Sequence, residues 1–293
     1  MDCITALSNA GICIHDLDTT RTGTWQRVAT EDKPRKRNGS VIIFDTRPLR
    51  FFYRNFATGV EGYWSDSGGF ASRVDLDAMR EAKRADQQRR QTNQADASQC
   101  AQTNWRTAIK APPDHPYLVA KQVQPHGIRL LGNALLIPML DVNGLLWSHQ
   151  TIFPDGRKMY LRGGKKQGCY FPIGGPVVDV LVLVEGFATG ATLHECLDAP
   201  IAVCFDAANL APVACNLRQK FPGAHMVIGA DNDVRTEGNP GIAYARKAAA
   251  QVNGQVVYPE FGQIALKQKL TDWNDMQTRY TTEMVQSLFA EVL

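Results

Sequence analysis

Val177-Val178-Asp179-Val180-Leu181-Val182-Leu183-Val184, followed at once by Glu185-Gly186-Phe187-Ala188-Thr189-Gly190, decides the fold. The nearly continuous apolar run suits a strand buried on both faces of a parallel sheet. The pattern then changes to helix from 186 to 197. The same alternation continues downstream. Ile201–Phe205, His225–Ala230 and Gln255–Tyr258 read as further strands, and 210–220 and 241–252 as helices. Strands alternating with helices imply βα units on a mostly parallel, Rossmann-like sheet with flanking helices.

In such sheets ligands bind beyond the carboxyl ends of the strands, and acidic residues collect there. Glu185 follows the first strand, Asp231 and Asp233 follow the third in Ala230-Asp231-Asn232-Asp233, and Asp272 and Asp275 lie in Thr271-Asp272-Trp273-Asn274-Asp275-Met276. Carboxylates at one end of a sheet are a candidate site for a hard cation such as Mg²⁺, which takes one or two carboxylates plus waters and phosphates. Each acid alone also reads as a helix N-cap or a solvated side chain. The ordered combination is what carries weight. Trp273 reads as a packing anchor for the last acidic loop.

Upstream, Ala134–Leu140, the Asp141-Val142-Asn143-Gly144 turn and Leu145–Ile152 form a hairpin pattern. A second turn at Asp155-Gly156 leads into Arg157, Lys158 and Tyr160, then Arg162-Gly163-Gly164-Lys165-Lys166-Gln167-Gly168. This glycine-rich basic segment is either a solvated loop or a phosphate-contacting one. Residues 74–109 lack Gly and Pro, are rich in charge and favour a polar helix that bridges two domains and stops at Pro112-Pro113. Residues 40–64 carry aromatic strand patterns beside Arg35, Lys36, Arg37, Arg47, Arg50 and Arg54. The expected organisation is a small β-rich region (1–72), a linking helix (73–113), a basic α+β subdomain (114–176) and the α/β domain (177–293).

Composition narrows the classes. The chain has 293 residues, 44% hydrophobic and 21% charged, with a formal net charge of +3. That excludes wholesale disorder and a heavily basic nucleic-acid coat, and leaves room for a local basic groove. No apolar run reaches the ~18 residues of a membrane-spanning helix, and the N-terminus lacks a secretory pattern, so no membrane association and a cytoplasmic location are expected. The seven cysteines include no C-x-x-C pair, so no zinc is expected.

The succession E-G-F-A-T-G, A-D-N-D and D-W-N-D resembles the Toprim catalytic domain shared by primases, topoisomerases and some nucleases. Its first motif is similar to that of primases of conjugative plasmids and satellite phages. Ile137–Gln150 and Lys158-Met159-Tyr160-Leu161 resemble the basic subdomain that precedes Toprim in bacterial primases, and the likeness runs from about Asp114 to Met276. It implies a DNA primase core making short RNA primers on single-stranded DNA from ribonucleoside triphosphates, with Mg²⁺ (or Mn²⁺) as cofactor. On this resemblance Glu185, Asp231 and Asp233 are catalytic, with Asp272 and Asp275 joining them as metal ligands. Arg157, Lys158, Arg162, Lys165 and Lys166 bind nucleotide or template, and Gly186 allows a tight turn beside the metal site. Two departures stand out: Thr189 occupies a position often acidic in replicative primases, and the zinc ribbon has no counterpart. No G-x-x-x-x-G-K-[ST] loop occurs, so a separate helicase is the expected partner. A Toprim-type nuclease and a non-catalytic binding module are the competing readings.

Overall fold

The computed structural model describes residues 2–262, 268 and 270–293. The chain divides into two compact units, 1–92 and 93–293.

In the first unit, β1 (Trp25–Val28), β2 (Gly39–Thr46), β3 (Leu49–Asn55) and β4 (Glu61–Ser65) form an antiparallel sheet in chain order. Alternation sends Val28, Val41, Ile43 and Phe51 to one face, where they pack against Leu7 of the short helix α1 (Cys3–Asn9) and against Ala10 and Ile12. Helix α2 (Arg73–Thr107) starts here and runs into the second unit. Its start is a reciprocal cap: Asp75 N–H donates to Ser72 Oγ at 3.1 Å, and Ser72 N–H to Asp75 Oδ2 at 3.0 Å. The helix ends at Thr107, before the proline pair expected to stop it. The chain after it is taken up as β5 (Ile109–Lys110), which pairs with β6 (Arg129–Leu131).

The second unit holds two sheets. One is an antiparallel meander of β5, β6, β7 (Ala134–Leu140), β8 (Leu146–Ile152) and β9 (Lys158–Tyr160) in chain order, with helix α3 (Pro116–Lys121) between β5 and β6. Small residues of α2 lie in this unit's interior: Ala97 and Ala101 are buried, and Ser98 Oγ donates to Leu146 O at 2.6 Å.

The other sheet has the order β10 (Phe171–Ile173), β12 (Ile201–Val203), β11 (Val180–Val184), β13 (His225–Gly229), β14 (Gln255–Val257). All pairs are parallel except β10 with β12. Strand β11 is shorter than its apolar run suggests, because its ladder begins where Val180 faces His225. Buried residues of α4 (Phe187–Leu197), α7 (Trp273–Arg279) and α8 (Thr282–Phe289) cluster with Val182 and Val184. Those of α5 (Ala207–Lys220) and α6 (Pro240–Val252) cluster with Leu181 and Leu183. This two-sided burial is why β11 reads as unbroken apolar sequence. Trp273 is fully buried, its ring 4.8 Å from that of Phe289, and anchors the last acidic loop.

Ile137, Met139 and Ile152 of the meander share one core with Val182, Val184 and Phe187 of the parallel sheet. An isolated Leu140–Tyr170 bridge links the two sheets further. The chain leaves β11 toward β12 and returns past it to β13, so strand order reverses at β11. That reversal opens the crevice in which α/β sheets bind ligands.

Candidate functional site

Glu185, Asp206, Asp231 and Asp233 all follow the carboxyl ends of β11, β12 and β13. Glu185 Oε1 and Asp231 Oδ1 are shut off from solvent and have no hydrogen-bond partner among the described residues. Burial, then Asp233 and Asp206, push the Glu185 carboxyl up to about 7, against the Ala207 backbone N–H. Burial, then Glu185, Asp272 and Asp233, hold Asp231 well above the usual carboxylate range, with Lys158 pulling the other way. Asp272 is raised too, by burial and by Asp275, against Lys121 and Lys158. Glu185, Asp231 and Asp272 are thus raised by burial and by the like charges around them, those of Asp206, Asp233 and Asp275 among them.

The A-D-N-D turn is held by its asparagine. Asn232 is buried; its N–H donates to Thr271 O at 2.7 Å and its Nδ2 to Pro259 O at 2.8 Å, which ties the third-strand acids to the last acidic loop. Asn239 Nδ2 donates to Asn232 Oδ1, and Asn239 Oδ1 accepts the Asp233 N–H. The carboxylate of Asp233 accepts the Gly241 N–H at 3.2 Å in the first turn of α6. A Cβ at Gly241 would lie 2.4 Å from Asp231 O, so only glycine fits there. Asp272 caps α7 in a reciprocal box with Asp275, whose Oδ2 also accepts the Thr271 N–H at 2.8 Å. Helix capping therefore takes up part of both carboxylates. Gly186 has an ordinary φ of −108°, and a Cβ there would meet only Thr189 Oγ1 at 3.9 Å. The tight turn expected of it is not what glycine supplies here; it leaves the start of α4 uncovered.

The basic residues separate into three groups. Lys158 faces the acids: burial and Lys121 lower its ammonium, while Asp272 and Asp231 oppose that shift. Lys165 sits 4.5 Å above the Trp147 ring, and Trp147 Nε1 donates to Asp141 at 2.8 Å. Lys166 is paired with Asp206 and lies 5.0 Å above the Tyr160 ring. Arg157 packs on Phe153 at 4.3 Å and lies 3.8 Å from Asp155. Arg162 is exposed and has no side-chain partner among the described residues. Next to the acids, Tyr117, Lys121, Lys158, Asn274, Asp275 and Thr278 line a cavity of about 480 Å³, within the size range of small-ligand pockets. The buried Tyr117 hydroxyl has no partner among the described residues. Asn274, also buried, donates to Lys121 O at 2.7 Å and to Thr192 Oγ1 at 3.0 Å, fixing α3 and α4 to α7.

Sequence reasoning gave no site role to Lys121, Tyr117, Asp206, Asn232, Asn239 or Gly241. The Asn239-Pro240-Gly241 turn at a helix start was a legible signal, and Asn232 stands between the two aspartates; Lys121, Tyr117 and Asp206 are far from them along the chain. In the first unit, Arg50 is not a free surface cation. It donates to the buried Asp75 at 2.7 Å and to Asp45 at 3.3 Å.

Among the described residues, no three His, Cys, Asp or Glu side chains converge as a preformed metal cage. Two buried carboxylate oxygens without partners, on groups whose pKa is raised by burial first and by like charges second, nevertheless suit an ion such as Mg²⁺, which draws the rest of its shell from water and phosphate. No helix among the described residues is long and apolar enough to cross a membrane.

Residues 180–283 match the Toprim domain family. The chain is 34% identical over 258 residues to DNA primase TraC of Escherichia coli, covering 82% of this chain and 24% of the relative. A second Escherichia coli DNA primase TraC is 37% identical over 157 residues, 50% of this chain and 11% of that protein. The chain thus spans about a quarter or less of the curated relatives it matches. The DnaG primase catalytic domain solved with single-stranded DNA aligns with a TM-score of 0.47 at 10% identity, over 70% of this chain and 80% of that one.

Proposed function

We propose that this chain, which carries a Toprim domain and resembles plasmid primases, is a priming core that joins ribonucleotides on a single-stranded DNA template. The observation that supports this most is the set of unsatisfied acids at the strand ends, facing Lys158 beside a cavity lined by Lys121 and Tyr117. Carboxylates with orphaned buried oxygens, faced by lysines at the mouth of the same crevice, mark a site that awaits a charged ligand.

In this reading the 3′-hydroxyl of one nucleotide attacks the α-phosphate of the next, and pyrophosphate leaves. Asp231 and Asp233 would hold Mg²⁺, or Mn²⁺ in its place; such an ion, when bound, stabilises the attacking and leaving oxygens. Asp272, with its capped helix start, borders the same charge. Glu185 stands at the end of the central strand to accept the hydroxyl proton. Lys158 and Lys121 bind triphosphate oxygens, with Arg157, Arg162, Lys165 and Lys166 contributing a wider basic rim. Positioning and electrostatics dominate phosphoryl chemistry, and a rigid strand-end site provides both. A separate helicase would supply the template strand.

Template contact extends to the first unit. Phe56 is half exposed, with the Arg27 guanidinium 4.6 Å and that of Arg54 5.3 Å from its ring centre. The loop carrying Lys33, Arg35, Lys36 and Arg37 is tied to it, Phe56 N–H donating to Asn38 O at 2.9 Å. Bases stack on aromatic and guanidinium planes, and phosphates follow basic loops.

The test is incubation of the protein with circular single-stranded DNA, labelled ribonucleotides and Mg²⁺. Short labelled oligoribonucleotides are expected, lost in Glu185→Gln and reduced by about 10²-fold or more in Asp231→Asn. Degraded template without product would replace this reading with a nuclease.

A further inference from the structure

The turn from β12 into α5 joins the second strand of the parallel ladder to its helix. It contains a bulky residue in a rare conformation: Phe205 has φ +74°, the left-handed region. Such a backbone persists only where its surroundings enforce it, and here they do. Phe205 O accepts the Tyr160 hydroxyl at 3.0 Å, and Cys204 O accepts Asn209 Nδ2 at 2.8 Å. The next residue, Asp206, accepts the Asn209 N–H at 2.9 Å as the α5 cap and pairs through its other oxygen with Lys166.

Asn209 is buried, yet its amide bonds mostly outside its own helix. Its Oδ1 accepts the Gly168 N–H at 2.8 Å, and its Nδ2 also donates to Cys169 O at 2.9 Å. A buried amide whose bonds are all made locks the segments it joins. What it joins is the end of the glycine-rich basic loop to the end of a central strand. Gly168 leaves no alternative seat: its φ is +74°, and a Cβ would meet Asn216 Nδ2 at 2.7 Å. Lys166 stands two residues before this clamp and lies over the Tyr160 ring, while Tyr160 is held by Phe205. Asp206 in turn is one of the charges acting on Glu185. Strained turn, buried clamp and ion pair therefore converge at the strand ends.

We infer that this turn is a positioning device: Asn209 seats the glycine-rich basic loop on the sheet, and Asp206 holds the Lys166 ammonium beside the acids until a nucleotide phosphate takes it. The exchange half of this inference rests on the nucleotide-joining function proposed above. Asp206 and Asn209 are positioning residues, since they act through Lys166 and the loop. An ammonium paired with a carboxylate must leave that partner to bind phosphate, so removing the carboxylate and removing the lysine have opposite effects. Asparagine caps a helix as well as aspartate does, so Asp206→Asn tests charge without unseating α5.

The experiment is calorimetric binding of a non-hydrolysable ribonucleoside triphosphate with Mg²⁺, alongside amide exchange read by mass spectrometry over 163–169. Lys166→Met is expected to weaken binding roughly tenfold, with Lys166→Arg recovering most of it. Asp206→Asn is expected to tighten binding severalfold, and this gain must vanish in the double variant with Lys166→Met. Asn209→Asp, which sets a carboxylate against two carbonyls, is expected to speed amide exchange at 163–169 by about tenfold or more while exchange in β11 and β13 stays slow. Weaker or unchanged binding in Asp206→Asn, or a gain that survives in the double variant, overturns the held lysine. Unchanged exchange in Asn209→Asp overturns the seat. No binding by the unmodified protein would overturn the nucleotide reading and the exchange together, and the Asn209→Asp exchange data still decide the seat.

Discussion

Asp75 in the first unit and Asp231 in the second both turn carboxylate oxygens into protein, and they differ in what meets them. Asp75 receives Arg50 at 2.7 Å, the Tyr63 hydroxyl at 3.0 Å and both the N–H and the hydroxyl of Ser72. These partners outweigh burial and hold its carboxyl below the usual range. Asp231 Oδ1 has none among the described residues, and three other acids act on it. A buried charge with every bond made is architecture. One left unmet costs free energy that folding alone does not recover, and it marks a place kept for something else.

This contrast breaks most readily at Asp75. Asp75→Ala strands the Arg50 guanidinium, and about 3–5 kcal/mol of the first unit's stability should go with it. Urea unfolding followed by amide exchange in β2 and β3 measures the loss; a change under about 1 kcal/mol would mean that the network is ornamental.

A pH series sharpens the comparison because the two units respond with opposite signs. A depressed carboxyl gives stability that is present above its unfolded value near 3.8 and lost as pH falls through its folded value, so acid weakens the first unit. A raised carboxyl does the reverse. Glu185, shifted from 4.5 to about 7, costs stability as pH rises through that window, on the order of 3 kcal/mol in total. In chelator, the second unit should therefore be more stable at pH 5 than at pH 8, with the first little changed between them. Equal stability of the second unit at both values would remove the buried-repulsion account.

Asp231→Asn should raise the second unit's melting temperature by a few degrees in chelator at pH 8, on the order of 1–2 kcal/mol, while priming falls. A comparable effect belongs to the ion itself. Millimolar Mg²⁺ should stabilise the unmodified second unit by about 1–3 kcal/mol through mass action and the Asp231→Asn variant by less. The same shift in both would place the ion away from Asp231.

How far the molecule was legible follows from the length scale of each signal. The parallel strands and the helices between them were visible because burial on two faces writes long apolar runs. The acids were visible because they sit directly after those runs. Strands β5, β6 and β10 were not visible: at two or three residues each, they show no period. Asp206 caps α5, and nothing near it in the chain announces Lys166 forty residues upstream. Arg50 looked like one more surface arginine among several, because its partner Asp75 lies in the next element. Lys121 and Tyr117 reach the site through the meander's helix, a placement that only the folded topology reveals.

The Leu140–Tyr170 bridge and the core beneath it bear on inheritance. The acid-bearing sheet rests part of its apolar face on the meander, so a recombination event between residues 140 and 170 would leave both halves with unmatched surfaces. Exchange between relatives should therefore move residues 93–293 as one cassette. Chimaeras cut between β8 and β10 should express poorly even when both parents are close.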